Sequence, residues 1–325
     1  MQVARRRHAD DSQAPEFAAV NGTGHHEYQA MHSSAQTTAP DDINRILHEA
    51  MGDESLELPP PPQVVSEVMR LTRGEAAGEN NADAGAADLA RLIQRDMALA
   101  GQVMRVANSA VYARRNPVVT LPQAISWLGI REVRNIAFAV ALKGQVFSSA
   151  YFRHEVTDLW RESVITALFA QEIARLKRRN LESAYLCGLL HRVGMAVILN
   201  RVGTTLTRLK LTPDSSHVLK LAARHEVRVG TLLSIAWQLP PSVSAAIAHW
   251  CDPPSAEMSR TEVMEVALAR QISDELRTPG VGGELPDSML GPVSRWMDEL
   301  SIYPDELFSI MAQRAAIYAT AESFT

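Results

Sequence analysis

The residues able to do chemistry fall into two groups. The first is made of imidazoles and thiols. His191 stands inside the apolar run CGLLHRVGMAVIL (residues 187–199), and a guanidinium, Arg192, follows it directly. His217, His225 and His249 lie in helical stretches, and with Cys251 they make a set of types that could hold zinc. Their spacings of 8 and 24 residues match no local zinc pattern, so packed or solvated histidines are expected there. The second group is cationic. Arg105, Arg114, Arg115, Arg131 and Arg134 flank the stretch NSAVY, and the acid interleaved among them is Glu132. Gathered on one surface, they would bind a phosphate or an acidic protein face. Asn108 and Ser109 close an apolar helical stretch. Such side chains bond nearby backbone and fix a turn, the alternative being contact with a partner. The densest basic run, RLKRRN at 175–180, reads as a solvated helix end favoured by the macrodipole, or else as contact with an anionic partner. Neither phosphate-loop pattern, G-x-x-x-x-G-K-[ST] or G-x-G-x-x-G, occurs, and no G-x-S-x-G elbow does.

The elements that must position these groups read as helices throughout. Residues 1–40 lack hydrophobic periodicity and are expected to be a disordered leader. Order is expected from DDINRILHEAM, with Asp41 or Asp42 as cap. The prolines of LPPPP force an extended entry, and Val64, Val65, Val68, Met69 and Leu71 then fall at helical spacing. Residues 73–88, rich in Gly, Asn and Ala, read as a loop. Leu99, Val103, Val106 and Ala110 stripe a helix that Asp96 is placed to cap, and Thr120 with Gln123 resembles a capping box. Pro122 suits the first turn there and Gly129 the end. Beyond 154 the pattern predicts helices at roughly 155–179, 181–201, 214–224, 226–238, 241–250, 258–276 and 302–322, the last two separated by TPGVGGELPD. No stretch alternates with period two, so no strand is expected.

Composition sets outer limits. Apolar residues are 46% of 325, enough for a sizeable core. The net charge of −5 gives no general attraction to nucleic acid or an anionic membrane. The two cysteines, Cys187 and Cys251, are far apart, which fits reduced thiols in a cytoplasm. The N-terminal stretch has basic residues without a following apolar run, so it does not read as a signal peptide, and the longest clean apolar run, IAFAVAL, is too short to span a bilayer.

From Leu58 to about Cys251 the chain resembles the HDOD domain, the non-hydrolytic relative of HD-domain metal-dependent phosphohydrolases found in bacterial signalling proteins. The residues that carry the likeness are LPPPPQVVSEVMRL; then the block from LARLIQRD through NSAVY to QAISWLG, which matches Ile-x-x-Asp, Asn-Ser-x-x-Tyr and Ala-Ile-x-x-Leu-Gly; then LWRESVITALFAQEIAR leading to AYLCGLLHRVGMAVIL; and HEVRVGTLLSIAWQLPPSVSAAIAHW. The resemblance implies an all-α, multi-helix HD-like domain at 41–255, with the helices of 256–325 packing on it or completing it.

The resemblance also implies where a hydrolytic site would be. HD enzymes hold a divalent metal with a His, a His-Asp pair and a distant Asp, and the metal supplies a nucleophilic water. The matching positions here are Glu162, His191 with Arg192, and Arg270. A guanidinium has no lone pair to give and repels a cation. Metal-dependent hydrolysis, a bound metal or another cofactor is therefore not expected. One anion and two cations at these positions are expected to form an internal ion-pair cluster, the alternative being that both arginines reach solvent. The function implied is a regulatory module in signal transduction, touching stress, motility or biofilm-type behaviour and acting by contact with a partner protein. A receptor for a small nucleotide or other anion is the second reading.

Overall fold

The structure is a computed structural model, and it describes residues 45, 58–63, 65–66, 89–112, 115–277 and 295–324. The expected leader at 1–40, the cap at Asp41 or Asp42, the loop at 73–88, the link at 278–287 and Arg114 lie outside the described residues. All described residues belong to one unit that runs from Thr38 to Thr325. Among them every regular element is helical and no strand occurs.

Helix α1 covers 89–94, α2 Met97–Ala107, α3 Leu121–Leu128 and α4 Ile130–Gln145. Asp96 caps α2 as its position predicts, its Oδ1 accepting from the Ala98 and Leu99 amides at 2.9 and 3.1 Å. Thr120 Oγ1 accepts from the Gln123 amide at 3.3 Å, and Gln123 Oε1 reaches back to the Val119 amide at 3.0 Å. The box thus closes one residue earlier than the usual pattern. Gly129 has φ +82, a conformation open to glycine at little cost, and it turns the chain from α3 directly into α4.

The long helix α5, Arg153–Leu176, lies at the centre of the second half. Helix α6 (Leu181–Leu190) packs along it, followed by α7 (Val193–Leu209), α8 (Ser215–Ala223), α9 (Glu226–Ala236), α10 (Pro241–His249) and α11 (Arg260–Arg277). Helices α12 (295–300), α13 (Pro304–Ala312) and α14 (Arg314–Ser323) complete the described chain. The pattern at 181–201 predicts one helix; the structure has two, broken at His191–Arg192, and the second runs on to Leu209. The segment is apolar on every side, so its periodicity carries no mark of the break. The stretch at 302–322 is likewise split, after Ala312.

Leu181–Leu209 taken whole is apolar enough to pass a test for a membrane span, with mean hydropathy 1.2, but 78% of its most apolar window is buried inside the protein. Helix α14 is seated by aromatic packing. The Phe324 ring lies 6.4 Å from the fully buried Trp160, whose indole N–H donates to the Phe324 carbonyl at 3.3 Å. Lys143 Nζ donates to the same oxygen at 2.8 Å. The basic run RLKRRN is not simply solvated, contrary to the first of its two readings. Lys177 pairs with Glu306 at 2.7 Å and Arg179 with the buried Glu265 at 2.9 Å, tying the end of α5 to α13 and α11. Burial pushes the Glu265 carboxyl up to about 7, against the pull of Arg179.

Candidate functional site

Two glycines bring the helices around His191 close together. A Cβ on Gly188 would lie 2.6 Å from the Ala167 Cα, so α6 rests on the backbone of α5. A Cβ on Gly194 would lie 1.9 Å from the Glu226 carbonyl oxygen, so the start of α7 touches the start of α9. His191 and Arg192 occupy the corner between these two contacts. His191 Nδ1 is 2.6 Å from the Gly188 carbonyl oxygen. That oxygen can only accept, so Nδ1 carries the proton and Nε2 keeps its lone pair. The bond takes the carbonyl that the Arg192 amide would use in a continuous helix, which is a local reason for the break.

Burial, then the charges of Arg270 and Arg192, hold the His191 imidazole well below its ordinary pKa, so it is neutral. Its ring stands edge-on to Trp250 at 5.3 Å, and the Arg192 guanidinium lies 5.5 Å from the same indole. Nε2 has no hydrogen-bond partner among the described residues.

Glu162, on α5, is the node of the charged cluster. Its Oε2 lies 3.0 Å from Arg270 Nη1 and 3.6 Å from Arg192 Nη1, and Arg277 bonds its other oxygen. Arg192 and Arg270 are thus drawn inward, not left to reach solvent. Two further acids complete the balance: Glu226 Oε2 accepts from Arg192 at 3.0 Å and Asp274 Oδ2 from Arg270 at 2.9 Å. Burial raises the Glu226 carboxyl while Arg192 pulls it down. Burial alone would lower Arg270, but Asp274 and Glu162 more than offset this and raise it. Sequence reasoning missed Glu226, Asp274 and Arg277. Asp274 alone left a trace, since it stands four residues after Arg270 on one helix face.

Such a site can be tested for a divalent ion by its donors. His191 Nε2 offers a lone pair. The Glu162 oxygens are engaged by three guanidinium groups, and no third donor joins them: among the described residues no group of three or more His, Cys, Asp or Glu could hold a metal. The donor set does not fit the ion.

The arginines around NSAVY do not form one set. Arg134 leaves it altogether. Its side chain is fully buried, and its Nη2 lies 2.7 Å from both oxygens of Glu182, which sits on α6. An Arg at the edge of α4 cannot be told from one facing α6 without knowing that α6 packs there. Arg105, Arg115 and Arg131 are exposed. Asn108 is a clamp: its Nδ2 donates to the carbonyls of Met104 and Val118 at 3.0 and 2.9 Å, and its Oδ1 accepts from the Val118 amide at 2.7 Å. Ser109 is buried. Tyr112 donates to Glu132, and Trp127 Nε1 donates to the Tyr112 carbonyl at 3.2 Å. Asn108→Ala is expected to cost about 1–2 kcal/mol, since it unpairs the Val118 backbone. Urea denaturation with an unchanged slope would report it, and a midpoint equal to that of the unaltered protein would contradict the clamp.

An all-helical domain with HD-like architecture, carrying an ion-pair cluster at the corner of its central helices, is the class that fold and site define. The chain matches the HDOD domain family over residues 58–253 and belongs to that family. A curated protein of Treponema pallidum (strain Nichols), uncharacterized, is 25% identical over 240 residues; these are 70% of this chain and 45% of that protein, so the chain spans under half the length of the relative it matches. Among solved structures, a candidate metal-dependent phosphohydrolase from Shewanella amazonensis SB2B is similar in fold, with TM-score 0.63, 20% identity, and coverage of 88% of this chain and 100% of that one. A candidate signal transduction protein from Marinobacter aquaeolei VT8 has TM-score 0.62 and 25% identity, covering 90% of this chain and 68% of its own.

Proposed function

We propose that this chain is a non-catalytic regulatory module of bacterial signal transduction, working in the cytoplasm by binding a partner protein. The observation that carries the reading is the closure of Arg192 and Arg270 on Glu162 at the positions where an HD enzyme would hold its metal. Guanidinium groups there supply positive charge from the protein itself, and no water is activated by them. The signal-transduction description of the Marinobacter aquaeolei structure supports the pathway class. In this reading the partner is met around the Asn108 clamp, where Arg115 is exposed; Arg105 and Arg131 are further exposed cations on the neighbouring helices.

Metal analysis of the purified chain, with phosphodiester and phosphomonoester hydrolysis assayed in added Mn2+, Mg2+ and Fe2+, tests the non-catalytic part. Substoichiometric metal and no turnover are expected. One metal ion per chain that is lost in His191→Ala, together with phosphoester hydrolysis lost in the same variant, would overturn it.

A further inference from the structure

Helix α7 carries a second polar feature, roughly 14 Å along its axis from Arg192. Most of its side chains are buried, yet Arg201, Thr204, Thr205 and Arg208 recur at helical spacing and line a cleft of about 390 Å3. That volume lies within the range of small-ligand sites. The cleft has an apolar part as well, from Val146, Val197 and Pro59. Pro59 is pinned by the Trp237 indole, which donates to its carbonyl at 2.9 Å. No carboxylate lines the cleft among the described residues, although the chain carries more acids than bases, 37 against 32.

We propose that this cleft binds a small phosphorylated molecule bearing one flat apolar group, the chemistry of a nucleoside monophosphate. Arg201 has a partner within the chain and brings a second positive charge to the cleft wall. Arg208 and the Thr205 hydroxyl have no partner among the described residues and are open to a ligand. Thr204 donates to the Asn200 carbonyl at 2.9 Å, which leaves its oxygen as an acceptor. The Arg208 fork beside the Thr205 hydroxyl suits the several acceptor oxygens of a phosphate, Arg201 adds positive charge, and the half-buried Pro59 offers an apolar face to a ring. A helix end favoured by its dipole accounts for Arg208 alone, not for Arg201 and Thr205 in mid-helix. The site is separate from the Glu162 cluster, so the inference stands or falls independently of the partner-binding reading.

The test is isothermal titration of the full chain with 5′-AMP and 5′-GMP, beside adenosine, guanosine and inorganic phosphate. Saturable binding of at least one nucleotide, one per chain, is expected. Removing the phosphate, or replacing Arg208→Gln, should weaken it roughly ten-fold, the scale of one charge-assisted hydrogen bond. Thr205→Val should weaken it less. Arg224→Gln, exposed at the end of α8 and outside the cleft, should leave it unchanged, and all three variants should melt with the unaltered protein. No saturation by either nucleotide, equal binding of inorganic phosphate, or full affinity in Arg208→Gln would overturn the assignment.

Discussion

Gly194→Ala is expected to destabilise the protein by about 3 kcal/mol or more, at or above the upper end of what an overpacked core costs. The added methyl would stand 1.9 Å from the Glu226 carbonyl oxygen and 2.6 Å from the Gly230 amide nitrogen. Both are helical backbone, so no rotamer change relieves the overlap and α7 must move off α9. Glu226 would move with it, and its carboxylate is the one that holds Arg192 at 3.0 Å. The mutation therefore loosens the charged cluster as well as the packing. Gly230→Ala is the internal comparison. Its methyl would meet Cγ2 of the buried Ile247 at 2.6 Å, a side-chain atom that repacking can shift where helical backbone cannot, and a smaller loss is expected. Urea denaturation of both variants measures the difference. A Gly194→Ala loss within about 0.5 kcal/mol, the range of an ordinary surface change, would show that the helices are not in contact.

Glu162→Gln is expected to cost about 2–3 kcal/mol. Breaking a buried ion pair from one side costs about 3–5 kcal/mol because a charge is left without its partner. Partial access of water to this site lowers that, the side chains of Glu162, Arg192 and Arg270 each being 17% exposed. Asp274→Asn, with its carboxylate 47% exposed, should cost less than about 1 kcal/mol. Pairing Glu162→Gln with Arg270→Leu should lose less than the sum of the two single changes, since each removes the same contact. Simple additivity would mean that the node carries no energy. Raised salt should narrow the Asp274→Asn difference more than the Glu162→Gln one, because screening acts where solvent reaches.

What could be read beforehand was mostly local. Caps are set within four residues, so Asp96 and Thr120 were legible; the helix expected from about 214 does begin there, with Asp214 accepting from the Ser216 amide at 3.1 Å. The opposed charges of Glu162, Arg192 and Arg270 were legible as types, through the likeness to HD enzymes. Their completion by Glu226 was not, because it depends on α9 crossing α7 at Gly194, a contact between residues far apart in sequence. Arg134 misled for the same reason: its partner Glu182 is 48 residues away. The break at His191 was hidden by uniform apolarity, and the cleft on α7 needed the C-terminal end of α4 and the Pro59 segment before its polar stripe had a meaning.

The mutual neutralisation around Glu162 also bears on how this sequence can change over time. For the corner to hold a divalent ion, Arg192 and Arg270 would both have to become oxygen donors. Arg192→Asp alone would set a third carboxylate beside Glu162 and Glu226, with Arg270 and the more exposed Arg277 left to balance all three. Arg270 altered alone would strip Glu162 of the guanidinium that lies 3.0 Å from its Oε2. Each single change is expected to leave the corner less stable than it is now, so a metal-holding donor set lies at least two coupled substitutions away.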